Sequence, residues 1–215
     1  MLPWIAKNDR SCYILRMMTK GEETRREIVD RALSLASEVG LEGLSLGTLA
    51  ADVKLSKSGL FAHFKSKEAL QLDVLQRAID RFVGEVVRPA LLKPRGEPRV
   101  AAIFDRYLAW ISGSERKGSC LFIALSQEYD DRPGAVRDLL VKSQRDWHQT
   151  IARAARIAIE QGHFRADLDV EQFAFEVVGF GMAFQQLYKL LDHPKAEQRA
   201  RTAFRELVTR SRRPA

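Results

Sequence analysis

This sequence predicts an all-α protein with a small N-terminal head and a larger helical body, and three observations predict it. From residue 20 onward apolar residues recur at spacings of three and four, the period of an amphipathic helix. Residues 45–70, SLGTLAADVKLSKSGLFAHFKSKEAL, divide into two short helices around a three-residue turn, with another helix following at once. Residues 169–191 are apolar on more than one face, which a helix tolerates only when neighbours cover it on nearly all sides. The predicted organisation is a head over 20–66 and a body over 67–215. Residues 1–19 match neither unit and read as a disordered arm or as an over-extended start, with Met17 or Met18 the initiator.

The first helix, about 22–39, places Ile28, Ala32, Leu35, Ala36 and Val39 on one face and stops at Gly40. Ser45 caps the second, whose Leu46, Leu49, Ala50 and Val53 turn inward. Lys54-Leu55-Ser56 is the turn. Ser56 caps the third helix, which carries Leu60, Phe61 and Phe64, and Ser66 opens the fourth. The fourth helix runs from 67 to about 88 on Leu72, Leu75, Ile79, Phe82, Val83 and Val86 and is expected to end before Pro89. Leu92 to Pro98, with two prolines and a glycine, reads as a loop. Val100, Ile103, Phe104, Tyr107, Leu108 and Ile111 form the next stripe, broken by Gly113 to Gly118. A short apolar helix spans Cys120 to Tyr129 and stops at Asp130-Asp131-Arg132-Pro133-Gly134. A long helix covers about 134–161, and the last two cover 169–191 and about 195–210.

Composition narrows the function classes. A chain of 215 residues with 46% hydrophobic and 29% charged residues is ordinary for a globular protein. No run of 18 apolar residues exists, so no membrane partner is expected, and Cys12 and Cys120 make no disulfide framework, which fits a reducing cytoplasm. The four histidines, 63, 148, 163 and 193, lack ligand spacing, and Glu128, Asp130 and Asp131 read as a helix stop, so no metal or cofactor is expected. No Gly-rich phosphate loop or nucleophile elbow is present, and an enzyme is not the expected reading.

Charge is placed rather than merely abundant. The formal net charge is +7, yet residues 20–70 hold eight basic and eight acidic side chains. From Val53 to Lys67 the chain carries Lys54, Lys57, His63, Lys65 and Lys67 without one acidic residue. Two short helices joined by a three- to four-residue turn form the helix-turn-helix, whose second helix enters the DNA major groove, and this edge is suited to phosphate. The seven basic residues of 195–215 read as a solvated face.

With Thr24-Arg25-Arg26-Glu27-Ile28 upstream, the segment resembles the DNA-binding domain of the tetracycline-repressor (TetR) family of bacterial regulators. The resemblance rests on the amphipathic first helix ending at Gly40, on Leu44-Ser45-Leu46, and on Ser56-Lys57, Leu60-Phe61, His63-Phe64 and Ser66-Lys67-Glu68-Ala69-Leu70, covering roughly residues 22–70. It implies a homodimer that binds double-stranded DNA at a palindromic operator, and a repressor released by a small apolar or amphipathic effector. A ligand-independent regulator or an activator, or a helical-bundle ligand carrier or enzyme, are the alternatives. Phe61 stands where the family usually has a tyrosine whose hydroxyl touches a phosphate.

The residues expected at DNA are Thr48, Lys57, Ser58, Gly59, Phe61, His63 and Lys67, with Phe61 and Phe64 expected to pack more than to read bases. Trp110, Cys120, Phe122, Trp147, Phe175 and Met182 are the candidate pocket, although aromatics at helical spacing commonly form plain core and Cys120 reads first as a small buried hydrophobe. Phe173, Val177, Gly181, Phe184, Tyr188, Phe204 and Leu207 form the expected dimer interface, with Gly179 and Gly181 permitting close approach.

Overall fold

The computed structural model describes residues 19–113 and 120–214, so the N-terminal arm, Cys12 and most of the Gly113–Gly118 break lie outside the described residues. In the head, α1 is Lys20–Val39, α2 is Leu46–Asp52 and α3 is Lys57–His63. Each begins on a hydroxyl. Thr19 forms a reciprocal capping box with Glu22, Ser45 accepts from the Thr48 N–H, and Ser56 accepts from the Gly59 N–H. Ile28, Ala32, Leu33, Leu49, Leu60 and Phe64 close the head's core. Val39 does not join it: it sits at the last turn of α1 and is exposed.

The body begins with α4, Lys67–Phe82, capped by Ser66. The expected stop before Pro89 does not occur. The chain passes through a π-helical turn, Val83–Val87, into α5, Arg88–Leu91, with the Arg88 N–H reaching back five residues to the Val83 carbonyl. A wider turn removes the four-residue register in which a proline ring meets a carbonyl. Pro98 likewise lies inside a helix, at the first turn of α6, Glu97–Ser112, where its missing N–H costs nothing. Then come α7, Leu121–Glu128, α8, Ala135–Glu160, α9, Val170–Gln185, a second π turn, Gln186–Leu190, and α10, Ala196–Ser211. Among the described residues there is no strand, only an isolated bridge between Phe164 and Arg212, and no helix is long and apolar enough to cross a membrane.

The helices stack into a bundle around α8. It packs against α4, α6 and α9, while α9 also packs against α6 and α10. Phe104 of α6 stacks on Phe204 of α10 with ring centroids 4.0 Å apart and planes within 8°. Gly181 of α9 faces the Tyr107 ring of α6 so closely that a methyl group there would run into it. Gly181→Ala is therefore expected to destabilise the protein by about 1–3 kcal/mol, the usual cost of overpacking, read as a lower midpoint in denaturant. Gly179→Ala, with nothing near its missing Cβ, is the matched control.

Candidate nucleic-acid interface and ligand chamber

Two groups stand out among the basic side chains in and against the head. Arg25 pairs with Asp73, Arg31 with Asp52, Arg77 with Asp30 and Lys67 with Glu42, and these pairs tie α1, α2 and α4 together. Arg25 also donates to the His63 carbonyl and lies 4.4 Å over the Phe64 ring, fixing the end of α3. Lys54, Lys57 and Lys65, by contrast, form no ion pair among the described residues and are exposed. Asp30, Glu42 and Asp52 are thus spent on the frame, while these three lysines stand at the turn and at both ends of α3.

Of the residues expected at DNA, Thr48, Lys57, Ser58 and Phe61 are exposed on α2 and α3, with Gly59 and His63 partly so. Lys57 lies with its stem against Gly47 at the start of α2, so it stands over two helix N-termini, where amide dipoles favour an anion. Phe61 does not pack as expected. Its ring is 50% exposed while Phe64 is buried, because in a seven-residue helix only Leu60 and the capping Phe64 reach the core. Lys67 also departs from expectation: its ammonium donates to the Glu42 carbonyl at 2.7 Å and meets the Glu42 carboxylate at 3.4 Å, which holds it within the protein. Lys54 takes a left-handed conformation, φ 57°, that the tight turn requires.

A polar latch that sequence reasoning missed joins head and body. Glu128, the last residue of α7, accepts from the Leu41 N–H at 3.1 Å and the Glu42 N–H at 2.5 Å. Gly40, at φ 76°, leaves the room its carboxylate needs. In return Glu42 accepts from the Tyr129 hydroxyl at 2.9 Å and from Gln71 at 3.0 Å, and Gln71 also donates to the Leu41 carbonyl at 3.0 Å. The Tyr129 hydroxyl, then Gln71 and Lys67, hold the Glu42 carboxyl below its ordinary range despite partial desolvation. Burial, followed by Glu42, raises the Tyr129 phenol.

One turn back along α7 lies a cavity of about 470 Å³ between α4, the first π turn, α6, α8 and α9. Its deep walls are Phe82, Tyr107, Cys120, Phe122, Trp147 and Val178, all buried. Phe82 is their hub, edge-on to Trp147 at 4.9 Å and to Phe122 at 5.6 Å. Around the mouth stand Gln76, Asp80, Arg88, Lys142 and Asp146. Of the six expected pocket residues, the structure brings together Cys120, Phe122, Trp147 and Met182. Trp110 lies behind the wall, packed on Phe82 at 5.2 Å, and Phe175 is on the outer surface, 65% exposed. Tyr107 and Phe82, read only as core, are walls of the cavity. Among the described residues no group of three or more metal-ligating side chains occurs.

The same packing places most of the residues expected at the dimer interface inside the chain. Phe173, Val177, Gly181, Phe184, Phe204 and Leu207 are buried within the chain itself, and Tyr188 stacks on Phe184 at 5.3 Å with its ring partly exposed. The face of α9 left unpartnered carries Phe175, Gly179, Met182 and Ala183, continued by exposed Leu190 and Leu191. Two apolar stripes run along this helix, and Tyr107, which fits only against a bare glycine, fixes which one turns inward.

Comparison with known proteins accords with this geometry. Residues 28–74 match the family described as bacterial regulatory proteins, tetR family, and residues 96–204 match the tetracyclin repressor-like C-terminal domain. An HTH-type transcriptional regulator of Staphylococcus aureus is 33% identical over 67 residues, 31% of this chain and 36% of that protein. The chain thus spans about a third of the length of the curated relatives it matches. A TetR transcriptional regulator from Chloroflexus aurantiacus superposes with a TM-score of 0.84 at 23% identity, covering 92% of this chain and all of the other. A regulator from Saccharomonospora viridis in complex with choline gives 0.75 at 19%, covering 89% and 99%. AibR in complex with isovaleryl coenzyme A and operator DNA gives 0.67 at 22%, covering 83% and 95%. At these identities the likeness is one of fold.

Proposed function

This chain belongs to the TetR family of bacterial regulators, and from that premise we propose that it is a homodimeric repressor of a palindromic operator, released when a small molecule fills the α4–α9 chamber. The observation that carries the DNA reading is the set of three exposed lysines around α3 that enter no ion pair among the described residues, while Arg25, Arg31 and Lys67 are held by carboxylates. Phosphate neutralisation releases counterions, so three lysines in each of two subunits give a slope of log affinity against log salt near −5. Lys65→Ala is expected to flatten that slope by about 2, since two copies are lost, and Lys67→Ala by clearly less because Glu42 already holds it. Fluorescence anisotropy across a salt series checks both, and equal effects would contradict the division into framing and DNA-facing charges.

The chamber and the latch share α7, and this supports the effector reading. Phe122, Ile123 and Ser126 line the cavity, while Glu128 and Tyr129 hold the loop after α1. A ligand that repositions α7 changes the contacts fixing the head, which supplies the differential interaction that a population shift needs. Glu128→Ala is expected to cost about 1–3 kcal/mol of stability, because two backbone donors lose a charged acceptor, and to make the 40–43 loop the first site of proteolysis. Thermal unfolding and limited digestion read the two effects.

A further inference from the structure

The end of α8 remote from the head carries a cluster of guanidinium groups that neither the DNA interface nor the chamber uses. α4 and α8 leave the head side by side. Gly134, just before α8, lies beside Glu68 at the start of α4, and Trp147 meets Phe82 at the end of α4, ring centroids 4.9 Å apart. Arg153 and Arg156 follow, about 27–32 Å from the start of α8 at 1.5 Å per residue. Three residues apart, they share one face of the helix. With Arg95 from the turn before α6, and with Ile157 and Glu160, they line a cleft of about 260 Å³. Like charges gather here with few carboxylates to hold them. Among the described residues Arg95 and Arg153 form no ion pair, and Arg156 reaches only Glu171, at 3.9 Å, beyond hydrogen-bond length. Glu97, two positions from Arg95, is taken by Arg212, which donates to both its oxygens at 2.6 and 3.0 Å. Arg99 donates only to the Lys93 carbonyl, and burial, followed by the Arg95 charge, lowers its guanidinium. The helix dipole favours cations near the end of α8, but at the first turn of α6 it favours acids rather than Arg95 and Arg99. An anion seated between these two elements offsets the repulsion.

We infer that this cleft binds a compact polyphosphate, a diphosphate or a longer phosphate chain, held by Arg95, Arg153 and Arg156. Guanidinium forks meet phosphate oxygens two at a time, so forks from a turn and a helix suit a group with several charged oxygens. Glu160 is the one acid among the described lining residues, against three guanidinium groups, so a multiply charged anion is favoured over a single carboxylate. The apolar lining residue, Ile157, gives no aromatic face on which a nucleobase could stack. The cleft lies too far along α8 to meet the duplex held by α3, and it does not depend on the chamber being the effector site.

Titration calorimetry on full-length protein at fixed ionic strength tests this with pyrophosphate, sulfate and ADP. Pyrophosphate is expected to bind one site per chain with a dissociation constant below about 1 mM, at least about tenfold tighter than sulfate. Arg153→Gln with Arg156→Gln should weaken pyrophosphate by at least about tenfold, with the thermal midpoint of the free protein little changed because both side chains are exposed. Arg153→Lys with Arg156→Lys keeps the charge but loses the forks, and should lose most of the preference over sulfate. Arg95→Gln, in a turn outside the helices, repeats the test if the paired variants fold poorly. Lys57→Ala with Lys65→Ala should leave pyrophosphate binding as it is, which separates the cleft from the DNA-facing lysines. ADP is expected to bind no tighter than pyrophosphate, which places the ligand among free polyphosphates. Tighter binding of ADP would support the diphosphate site and assign a nucleotide as its source. Pyrophosphate no tighter than sulfate would overturn the inference and leave a solvated basic surface. So would a loss of binding in the lysine pair equal to that in the arginine pair.

Discussion

Replacing Lys57 with alanine is expected to weaken operator binding by about 1–3 kcal/mol per half-site, and so by roughly twice that for a dimer on a palindrome. The size follows from its placement. Lys57 opens α3, pairs with no carboxylate among the described residues, and rests its stem on Gly47 at the start of α2. Its loss removes a positive charge from the point where two helix N-termini already attract an anion, and leaves the fold nearly untouched because the side chain is exposed. The pattern of loss separates two roles. A lysine that reads a base edge relaxes specificity at one position of each half-site, whereas one that meets only phosphate weakens all duplexes alike and lowers the salt slope. Binding isotherms on the operator, on its single-position variants and on unrelated DNA, at one stated salt concentration, measure the difference. The fold should be unchanged, with the denaturation midpoint within about 0.5 kcal/mol of the parent, as for other surface substitutions.

The second large effect concerns assembly. Phe175 of α9 and Leu190 of the π turn after it are 65% and 74% exposed, and with Met182, which also borders the chamber, they form an apolar strip that the chain itself leaves largely uncovered. Gly179 sits within it with open space above its missing side chain, which lets another helix approach closely. In a two-fold interface each residue counts twice, so placing carboxylates at Phe175 and Met182 removes four apolar contacts and adds four charges to a dehydrating surface. At about 1.5–3 kcal/mol per large apolar side chain, Phe175→Asp with Met182→Asp is expected to raise the dimer dissociation constant by at least about a thousandfold. Sedimentation should show monomer at micromolar concentration. Operator affinity should collapse with it, because one short recognition helix reads only a few base pairs. The same pair of changes at Phe173 and Val177, which are buried against the chain's own core, should unfold the protein instead.

The head was legible in the sequence because its determinants are local. Ser45, Ser56 and Ser66 cap helices three residues before the amides they accept from, and the turn lysines stand out as a run without acids. What lay in pairings distant along the chain could not be read. Glu128 meets Leu41 across 87 residues, and a carboxylate at the end of a helix before Asp130-Asp131 looks like any helix stop. Lys67 carries the same sequence signal as Lys65, yet Glu42 holds one and not the other. Helical periodicity showed that α9 is apolar on two sides and gave no way to choose between them. The choice lies in the fit of Tyr107 against Gly181, two residues 74 positions apart in the chain. Pro89 misled for a related reason: a proline marks a helix end only if the backbone has no wider turn available, and the π turn at Val83–Val87 supplies one.

The central claim, that two copies of α3 read a two-fold symmetric DNA site, is tested most directly by selecting bound sequences from random duplex DNA at a fixed salt concentration. The structure predicts a palindrome whose half-sites lie about one helical turn apart, roughly 34 Å, or a multiple of it. Recovery of no preferred sequence, with weak binding that disappears by about 200 mM salt, would mean that Lys54, Lys57 and Lys65 form only an electrostatic patch and would contradict it.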